Sequence, residues 1–157
     1  MVLAFYLLGF GASASSASSE HAVLLPPAQA RHVLQQCSRE TPKPVSGVWT
    51  VSPTIIAELE QDLPKLSKLV SKTCCGKGLS VPDPSAFYRQ YVGVSINGHN
   101  YVYINAFRNH PIYFHAKDRD RWRSEPEMVC DGGDSFWGAL YDPESRQFSQ
   151  LSFNGSV

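Results

Sequence analysis

Cys130, with His110 or His115 as base and Asp131 as orienting group, is the set in this chain that would make a cysteine nucleophile. Such a thiol needs a base within hydrogen-bond reach and a third group to hold that base. Cys130 instead lies between an apolar residue and a turn, with no catalytic motif around it, the usual setting of a disulfide or buried cysteine. A serine nucleophile would want G-x-S-x-G, and Gly133-Asp134-Ser135-Phe136-Trp137 lacks the second glycine. Asp118 and Asp120 are interleaved with arginines, a pattern for solvated ion pairs rather than acid–base work. His110, His115 and Asp118 lack the helical i, i+4 placement that puts two metal ligands on one face. Asp131-Gly132-Gly133-Asp134 lacks the oxygen spacing and closing glutamate of a calcium loop and reads as a turn. No glycine loop that would cradle phosphate is present. The expectation is no metal and no cofactor.

Two other groupings remain. Arg119, Arg121 and Trp122, with His110 and His115, gather interface-prone residue types in one stretch. Gln90 and Asn105 fall on a largely apolar strand face, where two amides need partners. Either they bond each other or a loop backbone, or they line a polar pocket with Tyr103 and Trp137.

The elements that must position these residues follow from pattern. Phe87 to Phe107 reads as a hairpin about Asn97-Gly98, the strongest short turn signal. A two-residue turn fixes the register, so Val94 faces Tyr101, Val92 faces Tyr103, Gln90 faces Asn105 and Tyr88 faces Phe107. Cys130 to Gly155 reads as a second hairpin about Asp142-Pro143-Glu144-Ser145. Its first strand, Ser135 to Tyr141, is apolar on both faces and is therefore expected to be central or helix-covered. The three-residue step from Phe148 to Leu151 predicts a β-bulge. Ile55, Ile56, Leu59, Leu63, Leu66 and Val70 recur at helical spacing behind Ser52-Pro53, a cap and a first-turn proline. Pro64 should kink or split that helix near Asp62. Pro26 to Ser38 is expected as a shorter helix, Thr41 to Gly47 as a linker, and Val129-Cys130 as the start of a strand. Arg108 to Glu127 is a long connection with a possible short strand at Ile112 to Phe114; loops of that length are often functional.

The fold class expected is α+β, with N-terminal helices packed on one antiparallel sheet of about four strands. The order of elements over residues 52–155 resembles the cystatin-like and NTF2-like architecture, a resemblance of arrangement that no family motif carries and from which function does not transfer.

The chain has 157 residues, enough for one domain at 23–157, and 43% apolar content against 18% charged argues for a folded core. Net charge is zero, which removes the basic excess that drives nucleic-acid binding. No apolar run reaches bilayer-spanning length. Residues 1–22 are expected to be a secretory signal or a disordered tail: Val2 to Phe10 is apolar and Ala12-Ser13-Ala14 suits cleavage, although no Lys or Arg precedes Arg31. Cys37, Cys74, Cys75 and Cys130 fit export to a disulfide-permissive space, secreted or periplasmic. A bridge between the adjacent Cys74 and Cys75 would be strained, so Cys37 is expected to bond one of them and Cys130 the other, or to leave Cys130 free. The function expected is a non-catalytic exported binding or accessory module for a protein or small-molecule ligand, for instance an enzyme inhibitor or envelope-associated protein. The alternative is a small hydrolase or isomerase with a pocket between helix and sheet.

Overall fold

The computed structural model describes residues 20–71, 78–108 and 119–155. Asn97 and Gly98 both adopt positive φ, 52° and 81°. That is the backbone twist a two-residue hairpin demands. The strands on either side, β3 (Tyr88–Ile96) and β4 (His99–Phe107), pair in the register read from the sequence, with Tyr88 opposite Phe107 and Gln90 opposite Asn105. β5 (Phe136–Asp142) pairs with β4 and β6 (Gln147–Phe153) with β5, so both hairpins share one sheet. The bulge falls where the apolar spacing breaks: Gln150 takes φ 52°, and pairing jumps from Leu140–Ser149 to Gly138–Ser152.

Among the described residues the sheet has six strands rather than four. The two extra strands, β1 (Ala22–Leu24) and β2 (Gly47–Trp49), share one edge of β3. β1 runs parallel to Arg89–Tyr91, and β2 runs antiparallel to Gly93–Ser95. Three residues carry no readable periodicity, which is why both stretches look like tail and linker in sequence. The fold is mixed α+β with a mostly antiparallel sheet.

The Ser52 side chain accepts the Ile55 amide at 3.3 Å and opens α2 (Pro53–Asp62). Pro64 cannot donate to this ladder, and the chain continues as a tighter 3-10 turn over Leu63–Lys68. Leu59, Leu63 and Leu66 are thereby laid on one sheet face against Tyr91, Ile104, Trp137 and Tyr141. The first helix is much shorter than its stripe suggests. A 3-10 turn at Pro27–Gln29 leads into α1 (Ala30–Val33), and residues 35–38 are not helical. Leu25, Ala30 and Val33 pack on the opposite sheet face against Val92, Val94, Tyr103 and Leu140. Residues 36–39 depart from the helical path and make tertiary bonds instead, described below. Val129-Cys130 is irregular rather than a strand. Among the described residues, no helix is long and apolar enough to cross a membrane.

Candidate functional site

Gln90 on β3, Asn105 on β4 and Asn154 just beyond β6 place three buried side-chain amides on the sheet face that α2 does not cover. Each donates to main-chain oxygens of one stretch, residues 122–131, which opens in a 3-10 turn (Arg121–Arg123) and is otherwise irregular. Gln90 Nε2 donates to Trp122 O and to Glu125 O at 2.6 Å, and its Oε1 accepts the Glu127 amide at 2.8 Å. Asn105 Nδ2 donates to Glu127 O at 2.8 Å and to Gln90 Oε1 at 2.9 Å. Asn154 Nδ2 donates to Val129 O at 2.6 Å and Asp131 O at 2.8 Å. The side chains supply what a neighbouring strand's backbone would supply, so a stretch with no ladder of its own is still held at many points.

Arg39 orients this set. Its guanidinium is buried and donates to Asn154 Oδ1 at 2.7 Å, to Asn105 Oδ1, and to the Tyr103 hydroxyl at 3.3 Å. With both asparagine oxygens turned toward the cation, both NH₂ groups must face the 122–131 backbone. Gly138 leaves room for this. A Cβ there would lie 2.3 Å from Tyr103 Oη and 3.1 Å from Arg39 Nε.

The two residues before Arg39 reach the same stretch. Ser38 Oγ accepts the Asp131 amide at 2.9 Å, and Ser38 O accepts the Gly155 amide at 3.1 Å. Cys37 is bonded to Cys130, with Cα atoms 5.3 Å apart. This replaces the expected bonds from these two cysteines to Cys74 or Cys75, which lie outside the described residues. Separation along the chain hid the pairing, since the two cysteines are 93 residues apart.

The predicted pocket does not form as a unit. Gln90, Asn105 and Tyr103 share one face, but Trp137 points to the other, fully buried beside α2 with Phe87 edge-on at 5.6 Å between ring centroids. The amides bond each other and also a loop backbone, where the first reading expected one or the other. The predicted exposed cluster also divides. Arg119 and Arg121 face solvent, while Trp122 is only 3% exposed. Trp122 packs edge-on against Tyr88 at 5.0 Å and Phe107 at 6.0 Å, and the Arg123 guanidinium lies 4.6 Å over its ring. An indole anchoring an irregular stretch to a sheet is apolar burial, which its arginine-rich surroundings in sequence concealed. His110 and His115 lie outside the described residues, as does the possible strand at Ile112 to Phe114.

The helix-covered face carries two polar clusters of its own. Glu60 accepts from Arg89 Nε and Nη2 at 3.2 and 3.1 Å and from the Tyr91 hydroxyl. Asp62 accepts from Arg146 Nε at 2.7 Å and Tyr141 Oη at 2.9 Å, with Lys65 at 2.8 Å. Both carboxylates come from α2 and both tyrosines from the sheet, so these clusters fix the helix's height and direction over it. The Arg146 guanidinium chiefly holds the Asp62 carboxyl well below the usual range, against burial. Burial chiefly pushes the Tyr141 phenol up to about 12, and the Asp62 carboxylate pushes it the same way.

A shallow cavity of about 360 Å³ opens between α1 and the amide-held stretch. Gln29, His32 and Gln35 form one wall, and Glu125, Pro126 and Met128 the other. Met128 is 55% exposed. Burial pushes the Glu127 carboxyl above its ordinary value, against the pull of the Arg121 charge. Sequence reasoning missed Arg39 and Asn154; neither sits in a periodic run, and only their positions in space give them a role.

No protein-family model, curated protein or solved structure matches this chain.

Proposed function

We propose that this chain is an exported, non-catalytic binding module that presents residues 119–128 and the adjoining groove to a protein partner. One observation carries the reading: an irregular surface stretch is pinned from below by buried amides while its upper side faces water. Gln90, Asn105 and Asn154 hold its backbone, and Arg119, Arg121, Glu125 and Met128 stand outward from it. Binding through a loop loses affinity to the entropy of ordering it, and a loop held in advance avoids much of that loss. Arginine and methionine are also residue types enriched where proteins meet. Export is supported by the bond between Cys37 and Cys130, which persists in oxidising compartments, and by the apolar run at Val2 to Phe10.

The test compares wild-type protein with an Arg119→Glu/Arg121→Glu variant as baits in the extracellular or periplasmic fraction of the source cells. Both side chains are exposed, so the variant should fold. Loss of at least about ten-fold of the recovered partner, roughly 1.4 kcal/mol, is expected from inverting two charges at a contact. Equal recovery by both baits would sink the assignment of this surface.

A further inference from the structure

The groove between α1 and residues 125–128 is spanned at one end by a covalent bond. Cys37 is two residues beyond Gln35, the last lining residue of one wall. Cys130 is two residues beyond Met128, the last lining residue of the other. Both cysteines are exposed. We propose that this disulfide is a redox latch on the groove: oxidised, it fixes the spacing of the two walls; reduced, it frees residues 34–37 from the opposite wall, which Gln90, Asn105 and Asn154 still hold, while the rest of the fold stands. The proposal rests on reading the groove as part of the binding surface.

The division of labour among Cys37, Ser38 and Arg39 supports a local response. Arg39 and Ser38 bond inward, to Asn105, Asn154, Asp131 and Gly155. These bonds do not involve sulfur and persist when it is reduced. Only Cys37 bonds outward, at the solvent boundary. Beyond it, a long 3.4 Å hydrogen bond from Gln36 Nε2 to Glu127 O ties the walls together. The two large apolar clusters, around Leu59 and Trp137 on one face and Val33 and Tyr103 on the other, include neither cysteine. Accessibility decides whether a disulfide exchanges, because a thiolate must approach one sulfur along the bond.

The reductant is a dithiol. Its first thiolate attacks one cysteine sulfur and breaks the Cys37–Cys130 bond, giving a mixed disulfide and a free cysteine thiolate, which takes up a proton. Its second thiol then displaces the remaining cysteine. The products are two cysteine thiols and the reductant's own disulfide, with two electrons and two protons transferred.

The test uses the full chain carrying Cys74→Ser and Cys75→Ser, so that thiol chemistry is confined to this pair, with dithiothreitol as the dithiol. Amide exchange is followed by mass spectrometry before reduction, after it, and after re-oxidation. A Cys37→Ser/Cys130→Ser version serves as a permanently opened form. Peptides covering residues 34–37 should exchange about ten-fold faster on reduction, residues 125–130 and strands β3 to β5 should remain better protected than those peptides, and re-oxidation should restore the first state. Strands β3 to β5 brought down to the exchange of residues 34–37 would mean a general staple and would overturn the latch. So would unchanged exchange, or resistance to dithiothreitol without denaturant. This measurement needs no partner. Its failure is therefore separable from failure of the Arg119/Arg121 bait experiment, which uses oxidised protein.

Discussion

Arg39 Nη1 lies 2.7 Å from Asn154 Oδ1, joining residues 115 positions apart. The same guanidinium reaches Asn105, so one cation sets the direction of two buried amides. Its acceptors at this point are neutral oxygens, and their value is geometric: turn either amide over and an NH₂ would face a cation while a carbonyl faced a carbonyl. Arg39→Met should therefore expose a cost beyond the lost bonds, because two buried oxygens lose their donor. At about 1–3 kcal/mol for each unsatisfied group, a total near 3 kcal/mol is expected. Arg39→Lys should recover only part of it, since a single ammonium lacks the planar fork that serves separate acceptors. Urea unfolding of the three proteins measures both numbers; a change under 0.5 kcal/mol in Arg39→Met would remove the residue from its organising role.

Peptide mapping without reductant should recover Cys37 and Cys130 in one linked species. Cys37→Ser should lower stability by about 2–4 kcal/mol, the usual range for losing a bridge that closes a long loop. Linkage of either residue to Cys74 or Cys75 instead would contradict the placement of the Cys37–Arg39 turn beside residues 129–131.

How much of this was legible in the sequence depended on the range of the interaction. Asn97-Gly98 fixes the β3–β4 register because the turn is its own two residues, and Ser52-Pro53 and Pro64 bound α2 by equally local chemistry. The bulge at Gln150 showed as a break in alternation between Phe148 and Leu151. The amide-held stretch was half visible. Two amides on an apolar face announced a need for partners, but the partners are backbone groups of residues 122–131, and backbone groups look alike in every sequence. Arg39 and the Cys37–Cys130 pairing were not visible, because what selects them is the approach of segments distant in the chain. α1 was over-read for the same reason: Leu34 and Cys37 continue the helical stripe, yet residues 36–39 gain more from bonds to the far side of the domain than from another turn of helix.

The Asp62–Arg146–Tyr141 cluster makes stability depend on pH at both ends of the scale. Asp62 is depressed in the fold, so its contribution is complete above the unfolded carboxylate value near 4 and falls away as pH drops toward the folded value. Tyr141 is raised to about 12, so its contribution is complete below the unfolded phenol value near 10 and is lost as pH climbs through 12. Asp62→Asn should cost about 2 kcal/mol at pH 7, a discounted figure because Arg146 and Lys65 are partly exposed. It should also flatten the acid limb relative to wild type. Urea unfolding between pH 2 and 7 tests this, and parallel acid limbs in the two proteins would show that Asp62 is not the group titrating.

Gly138→Ala probes the same face from the sheet side. The added methyl would sit 2.3 Å from Tyr103 Oη and 2.9 Å from its Cζ, and Tyr103 is only 1% exposed and has little room to withdraw. Relief requires the phenol to swing, which takes its hydroxyl from Arg39 Nε and presses on the guanidinium that orients Asn105 and Asn154. A loss of about 1–3 kcal/mol is expected, with Tm lower by roughly 2–4 °C per kcal/mol for a chain of this size. Adding Tyr103→Phe should lessen the penalty, because the atom nearest the new methyl is gone, and a double-mutant cycle should report a favourable coupling of about 1 kcal/mol. Strictly additive losses would mean that the alanine is accommodated by backbone movement of β5, and that Tyr103 does not transmit strain to the Arg39 cluster.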